Sequence, residues 1–340
     1  MKNKIALCLL VSVSTLAVAN AQSHWDTLYV KDYTSRILWS YFQEYKTMTL
    51  SIAPSEMLRP DGKESLLLNS GNNLYSGLLI QYKGISLYFA GNLPQSEEDI
   101  SRYGSQESSI WKLNIQIPSA SLRVHHLNYS GFYNLKYENN ELEAAEDVNA
   151  FERYSEMETS WLTAEIKHYP SFRRFAQGMP ENFNLHQVKS NFAVGYRLGY
   201  DKIRINNKDR ALFVNSLQNS SPAYTVANIT YSGLGLAVGP SAYITIGRGF
   251  FLYGDVWIGV NGLKNRFESD SYESEQYDFS FSVPELRTTV GYQNRRWLIG
   301  TYYSFQNQSF QNELLSVSST LNTFGVILGF RTNSPSRMAF

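Results

Sequence analysis

The 340-residue sequence predicts an all-β fold, a transmembrane antiparallel up-and-down β-barrel of about twelve strands. Three observations carry that prediction. Apolar and polar side chains alternate with a period of two along a dozen segments, the links between those segments alternate short and long, and the chain opens with an export signal.

The signal comes first. Lys2 and Lys4 precede an apolar run over residues 5–18 and the small-residue site Ala19-Asn20-Ala21, so cleavage is expected after Ala21. The run is shorter than the roughly 20 residues of a spanning helix. Cys8, the sole cysteine, leaves with the signal, and the mature chain then has no thiol, disulfide framework or thiolate metal site. The expected organisation is a signal at 1–21, a lead segment at 22–46, a barrel at 47–331 and a tail at 332–340.

The lead segment, with Ile37, Leu38, Tyr41, Phe42 and Tyr45, fits a short amphipathic helix or an irregular run into the first strand. From Thr47 the period is two. Residues 47–53 set Met48, Leu50 and Ile52 against Thr47, Thr49 and Ser51. Segments 74–82 and 85–92 carry Leu74, Leu78 and Ile80, then Ile85, Leu87 and Phe89, with only Lys83 and Gly84 between them. Segments 110–117 and 120–130 meet at Pro118-Ser119; Trp111, Leu113, Ile115 and Ile117 lie behind Lys112, Asn114 and Gln116.

Five further segments complete the pattern up to the C-terminal pair. Residues 159–169 place Leu162, Ala164 and Ile166 against Glu165 and Lys167, and 190–201 place Phe192, Val194, Tyr196 and Leu198 against Arg197. Residues 233–246 and 250–260 follow, the latter with Leu252, Val256 and Ile258 against Tyr253, Asp255 and Trp257. Residues 277–292 and 297–306 turn at Asn294, and 321–331 close the series with Phe324, Val326, Leu328 and Phe330.

Tight links fall near Lys83, Pro118, Gly247 and Asn294, and long ones at 54–73, 93–109, 131–158, 203–232, 264–276 and 307–320. A membrane barrel has short inner turns, longer outer loops and an even strand number. The link 170–189 is too long for an inner turn; strands at 172–177 and 211–217 would raise the count to fourteen.

A soluble β-sandwich shares the alternation, but strands of ten or more residues suit a bilayer better. Aromatics at strand ends (Trp111, Tyr129, Tyr169, Tyr200, Phe250, Phe251, Tyr292 and Trp297) fit interfacial girdles. On the polar faces Lys112, Arg123, His125, Glu165, Lys167, Arg197, Asp255, Glu285 and Arg287 form a predicted polar network in the lumen.

Thirty basic and thirty acidic residues cancel, which gives no pointer to nucleic acid. No cofactor or metal is expected. Adjacent His125 and His126 point to opposite faces of a strand and cannot chelate together. Ser121 and His125, four apart on one face, are about 13 Å apart and make no catalytic pair by themselves. Acidic loops at 136–158 (Glu138, Glu141, Glu143, Glu146, Asp147, Glu152, Glu156, Glu158) and around Glu268, Asp270, Glu273, Glu275 and Asp278 lack the spacing of a calcium loop. Expected partners are outer-membrane lipid, lipopolysaccharide and, during insertion, the barrel-assembly machinery.

Several short motifs occur in order: Trp25-Asp26-Thr27 with Asp32-Tyr33, Tyr82-Lys83-Gly84, Gly131-Phe132-Tyr133, and the stretch from Val238 to Leu263. Through them the chain resembles a Bacteroidetes domain-of-unknown-function family of outer-membrane β-barrels. The resemblance spans most of the mature chain and implies fold and compartment, with no site residues to carry over. It departs at Lys189-Ser190-Asn191-Phe192-Ala193, where such families show Lys-Ser-Ala-Gly-Ser. The expected role is an outer-membrane barrel serving as a narrow pore, transport component or surface-structure element; a lipid-modifying enzyme and a secreted sandwich are the alternatives.

Overall fold

A computed structural model describes residues 25–54, 66–71, 73–116, 120–134, 153–171, 174–176, 183–207, 226–269, 272–311 and 315–332. The expected export signal with Cys8, most of the first acidic loop, the candidate strand at 211–217 and the tail from 333 lie outside these residues. Of the candidate strand at 172–177, the described residues 174–176 are not strand.

The elements in order are β1 (Val30–Asp32), β2 (Ile37–Pro54), β3 (Leu66–Asn69), β4 (Asn73–Tyr82), β5 (Ile85–Asn92), α1 (Glu97–Tyr103), β6 (Glu107–Gln116), β7 (Ala120–Asn134) and β8 (Arg153–His168). They continue with β9 (Leu185–Gln187), β10 (Asn191–Asn206), β11 (Asn228–Ile246), β12 (Phe250–Ser269), β13 (Tyr272–Gln293), β14 (Trp297–Gln311) and β15 (Leu315–Thr332).

Twelve of these close a ring, β2-β4-β5-β6-β7-β8-β10-β11-β12-β13-β14-β15, with every pairing antiparallel. Closure runs the full length of β15 and β2, from Thr332 opposite Ile37 to Leu315 opposite Pro54. A closed ring leaves no unpaired strand edge, and that is the condition a sheet must meet inside lipid. The two-residue turn at Lys83-Gly84, both at positive φ (47° and 80°), has the twist a tight hairpin needs.

The first wall strand starts at Ile37, ahead of the expected start at 47, and 37–45 is strand rather than helix. This segment is apolar on both faces: Leu38 and Phe42 point inward and are buried, while Trp39, Tyr41 and Tyr45 are exposed on the outside. Several expected long links are also shorter, because β12 and β13 reach Ser269 and Tyr272, and β14 and β15 reach Gln311 and Leu315.

Those extensions carry an inversion of the wall. Along β11 the outward side chains Leu234, Leu236, Val238, Ile244 and Ile246 are exposed and apolar. From Leu234 to Ile246 the strand runs roughly 40 Å, about 28 Å of vertical height at a 45° tilt, close to a bilayer's hydrocarbon thickness of about 30 Å. At the outer ends the parity is unchanged but the chemistry reverses. On β15 the outward residues turn from Phe324, Val326, Leu328 and Phe330 to Asn322, Thr320, Ser318 and Ser316, while Leu321, Val317 and Leu315 are buried inside. Met48, Leu50 and Ile52 therefore face the interior, not lipid, and all three are fully buried. Above the membrane the wall is built as a soluble barrel is, polar outside and apolar within.

The wall is lower over β4, β5 and β6. There β3 pairs with β2 and with β7, and closes a narrower ring over the three short strands. At this step the β7–β8 register shifts between Ser130 and Phe132. Gly131 sits at φ +83°, where a Cβ would lie 2.3 Å from the Ser105 carbonyl oxygen, so the Gly-Phe-Tyr motif has a bulge to serve.

Candidate functional site

The lumen is the candidate site, and it is filled in three layers. In the middle, Glu165 of β8 and Glu285 of β13 project inward, each 3% exposed. Glu165 lies 2.9 Å from Arg123, 3.3 Å from Lys167, 3.6 Å from Arg197 and 4.0 Å from Arg287. Glu285 binds Arg197 and Arg287 directly and is 3.6 Å from Arg123. Strand pairing dictates this: Arg123 is opposite Glu165, Lys167 opposite Arg197, and Arg287 opposite Asp255.

Asp255 faces the same space, where Oδ2 accepts from Tyr253 (2.9 Å) and from Trp257 Nε1 (3.0 Å). The Trp257 indole, fully buried, lies under Lys167 Nζ at 4.9 Å and the Arg197 guanidinium at 5.7 Å. Glycine makes room for it: a Cβ at Gly195 or Gly239 would come within 2.9 Å of the indole.

A second cluster lies on the opposite wall. Glu44 and Lys46 of β2 are both buried and 2.6 Å apart, and Tyr88 and Tyr302 both donate to the Glu44 carboxylate. Lys112 Nζ sits 4.3 Å from the centre of the Tyr88 ring. A cavity of about 30 Å³, enough for about one water molecule, lies among Glu44, Tyr88, Lys112, Asn114, Phe183 and Tyr302. His125 stands opposite Lys112 and Thr163, and its Nε2 has no hydrogen-bond partner among the described residues.

The inner mouth is closed by the described residues of the link 170–189, chiefly 183–189. Its strand β9 pairs with β1, so the lead segment and the overlong turn form a two-stranded cap. Asn184 donates to the carbonyls of Arg36 and Gln81, both at 3.3 Å, and accepts from Arg331 Nε at 3.2 Å; Arg331 and Gln293 both donate to the Phe183 carbonyl. Phe175 and Phe183 are fully buried. The third layer is the apolar interior of the outer extensions, where Tyr231 stacks on Phe310 with centroids 4.8 Å apart.

His186 belongs to the cap, outside the spanning strands. Burial, helped by Arg331 and Lys31, holds its pKa down at about 4 against an ordinary 6.5. A histidine kept neutral by burial contributes stability above its undocked pKa and loses it as pH falls toward the docked value. Cap amides around 185–187 should therefore exchange on the order of tenfold faster at pH 5 than at pH 7.5 after intrinsic-rate correction. A flat profile in the wild type, or the same pH dependence retained in His186→Gln, would contradict this assignment.

Every residue of the predicted lumen network projects inward, but the structure divides it. Arg123, Glu165, Lys167, Arg197, Glu285, Arg287 and Asp255 gather together, whereas Lys112 belongs with Glu44. Sequence reasoning missed Glu44, Lys46, Tyr88 and Tyr302, as well as Asp201, whose carboxylate accepts from Thr163 at 2.7 Å. Tyr129, Tyr169 and Phe251, expected in the girdles, are buried inside; Trp111, Phe250 and Trp297 remain outward and exposed. Ile115 points outward but is buried by its neighbours.

No pairing of Ser121 with His125 forms. The serine–histidine contact is instead Ser160 Oγ with His126 Nε2, 3.2 Å apart on the outer wall, with Trp111 stacked on the imidazole. Among the described residues no side chain orients Nδ1 of His126 as the third member of a hydrolytic triad would. Among the same residues no three His, Cys, Asp or Glu side chains gather as a metal site.

Exposed apolar belt, closed ring and inward charges define a transmembrane β-barrel with a packed lumen, and the secreted sandwich is set aside. The chain belongs to the family described as a domain of unknown function (DUF4421), which it matches over residues 24–331. No curated protein matches it. Among solved structures it is similar to the outer membrane protease OmpT from Escherichia coli (7% identity, 89% of this chain and 98% of that one, TM-score 0.38). It is similar also to the translocator domain of the autotransporter NalP from Neisseria meningitidis (8% identity, 96% and 96%, TM-score 0.32). A third is the β domain of the Bordetella autotransporter BrkA (11% identity, 86% and 99%, TM-score 0.33). No activity is carried across from them.

Proposed function

We propose that the protein is an outer-membrane barrel acting as a surface-structure element, one whose work is done on its outer wall and rim and not through an open lumen. The observation that carries this is the filling of the lumen at three heights: the capped inner mouth, the ion-pair lattice and the apolar outer core. A diffusion pore needs a continuous wet path, and buried side chains occupy this one. Export through a signal cleaved after Ala21 and insertion by the barrel-assembly machinery belong to the same reading, as does an origin in the Bacteroidetes.

Two measurements test it. Cell fractionation should place the protein in the outer membrane, with a mobility shift between boiled and unboiled samples. In planar bilayers the inserted protein should show no steady conductance steps. A stable open level at neutral pH would overturn the proposal in favour of a narrow pore.

A further inference from the structure

The step in the wall over β4, β5 and β6 leaves a groove of about 910 Å³ on the outside of the barrel. Its floor is a rung of the sheet running across four strands, Ser109, Asn128, Ser160 and Arg204, each paired with the next. Its roof is the β5–β6 link, which contributes Leu93 and Ile100. A row of hydroxyl, amide and guanidinium groups beside an apolar lip is chemistry suited to a sugar.

The height of the groove narrows the choice of ligand. One rung toward the membrane lie Trp111, His126, Leu162 and Lys202, and below them the outward face becomes the apolar belt through Leu198, Leu234 and Leu236. Lys202 and Arg204 lie two residues apart on one face of β10, about 7 Å between Cα atoms, and can share one phosphate.

Two other cations stand at the same height, and they make the comparison. Lys264 and Arg266 of β12 are engaged, Lys264 with Glu275, and Arg266 with Glu268 at 2.5 Å and Glu273 at 3.0 Å. Lys202 and Arg204 have no ion-pair partner among the described residues. Glu107 and Glu158 face the groove one rung further out, so the field favours an anion on the membrane side and repels it from the far rim.

We propose that this groove binds the phosphorylated sugar headgroup of an outer-leaflet glycolipid, with Lys202 and Arg204 on a phosphate and the acyl chains laid on the belt beneath. The ligand is a lipid because the cations border a lipid-facing surface without a break. The inference rests on the membrane placement proposed above.

The test uses the folded full-length barrel in detergent, titrated with diphosphoryl lipid A, with bound lipid counted by native mass spectrometry. Lys202→Gln/Arg204→Gln should weaken binding about tenfold or more, the loss expected when charge-assisted contacts to a phosphate are removed. Lys264→Gln should leave it within about twofold, since that lysine already has its carboxylate. Dephosphorylated lipid A should bind the wild type as weakly as diphosphoryl lipid A binds the double variant. Glucosamine 1-phosphate, with no acyl chains, should not bind at the same concentration. Equal binding by the double variant overturns the proposal, and so does glucosamine 1-phosphate binding as tightly as the lipid, which would mark a site for soluble sugar phosphates. Heat-dependent gel mobility in the same samples separates the two readings: a wild type without a shift defeats the membrane barrel and this site together, whereas shifted protein with unaltered binding defeats the site alone.

Discussion

Glu165→Ala should destabilise the barrel by about 3–5 kcal/mol, the usual cost of breaking a buried charge network by removing one partner. Arg123, Lys167, Arg197 and Arg287 all lie within 4.0 Å of that carboxylate. Without it they share Glu285, itself buried. Much of the loss is the penalty of the cations left behind, so it should shrink when one of them goes too. Glu165→Ala/Arg123→Leu is expected to be more stable than Glu165→Ala alone. The measurement is the midpoint of urea-driven loss of the fast-migrating form in lipid vesicles. Glu275→Ala, on an exposed extension, should leave that midpoint in place; an unmoved midpoint for Glu165→Ala would mean that the lattice does not hold the barrel.

Ile258→Arg should be nearly as damaging, for a different reason. Ile258 is 57% exposed on the outer face of β12, inside the apolar run from Phe250 to Val260 that precedes Lys264. A guanidinium near the bilayer midplane costs about 2–4 kcal/mol and close to nothing near the interface. Ser318→Arg also points outward, but from the polar extension of β15. The folded fraction after insertion into vesicles should fall sharply for the first and stay at the wild-type level for the second. Equal insertion by both would contradict the height assigned to the belt.

Much of this fold could be read from the sequence because a wall with two solvents must alternate. The twelve segments, the Lys83-Gly84 turn and the inward direction of Glu165, Lys167, Arg197 and Glu285 all follow from a period of two. What alternation cannot reveal is which face is which. Beyond the membrane, water replaces lipid outside, so Met48, Leu50 and Ile52 obey the same period with the opposite meaning. Glu44 and Lys46 were hidden for a related reason: Trp39, Tyr41 and Tyr45 on one face and Leu38 and Phe42 on the other erase the contrast that marks a strand.

The cap was illegible for another cause. Val30 pairs with Gln187 across most of the first half of the chain, and three-residue strands leave no periodic trace. The excessive length of 170–189 is the available signal: its described residues 183–189 close the mouth instead of adding wall. The outer groove likewise comes from where β4, β5 and β6 stop, which their composition does not announce.

The seam between β15 and β2 has a consequence in time. Thr332 meets Ile37, 295 residues earlier in the chain. The strand that emerges first must wait for the last before either is satisfied, and the entropy of joining ends so distant falls on one late event. Until then β2 and β14 present two rows of unpaired backbone to whatever surrounds them. The chain thus has a long interval of vulnerability before the ring is complete, and loss of the eighteen-residue β15 alone would make that interval permanent.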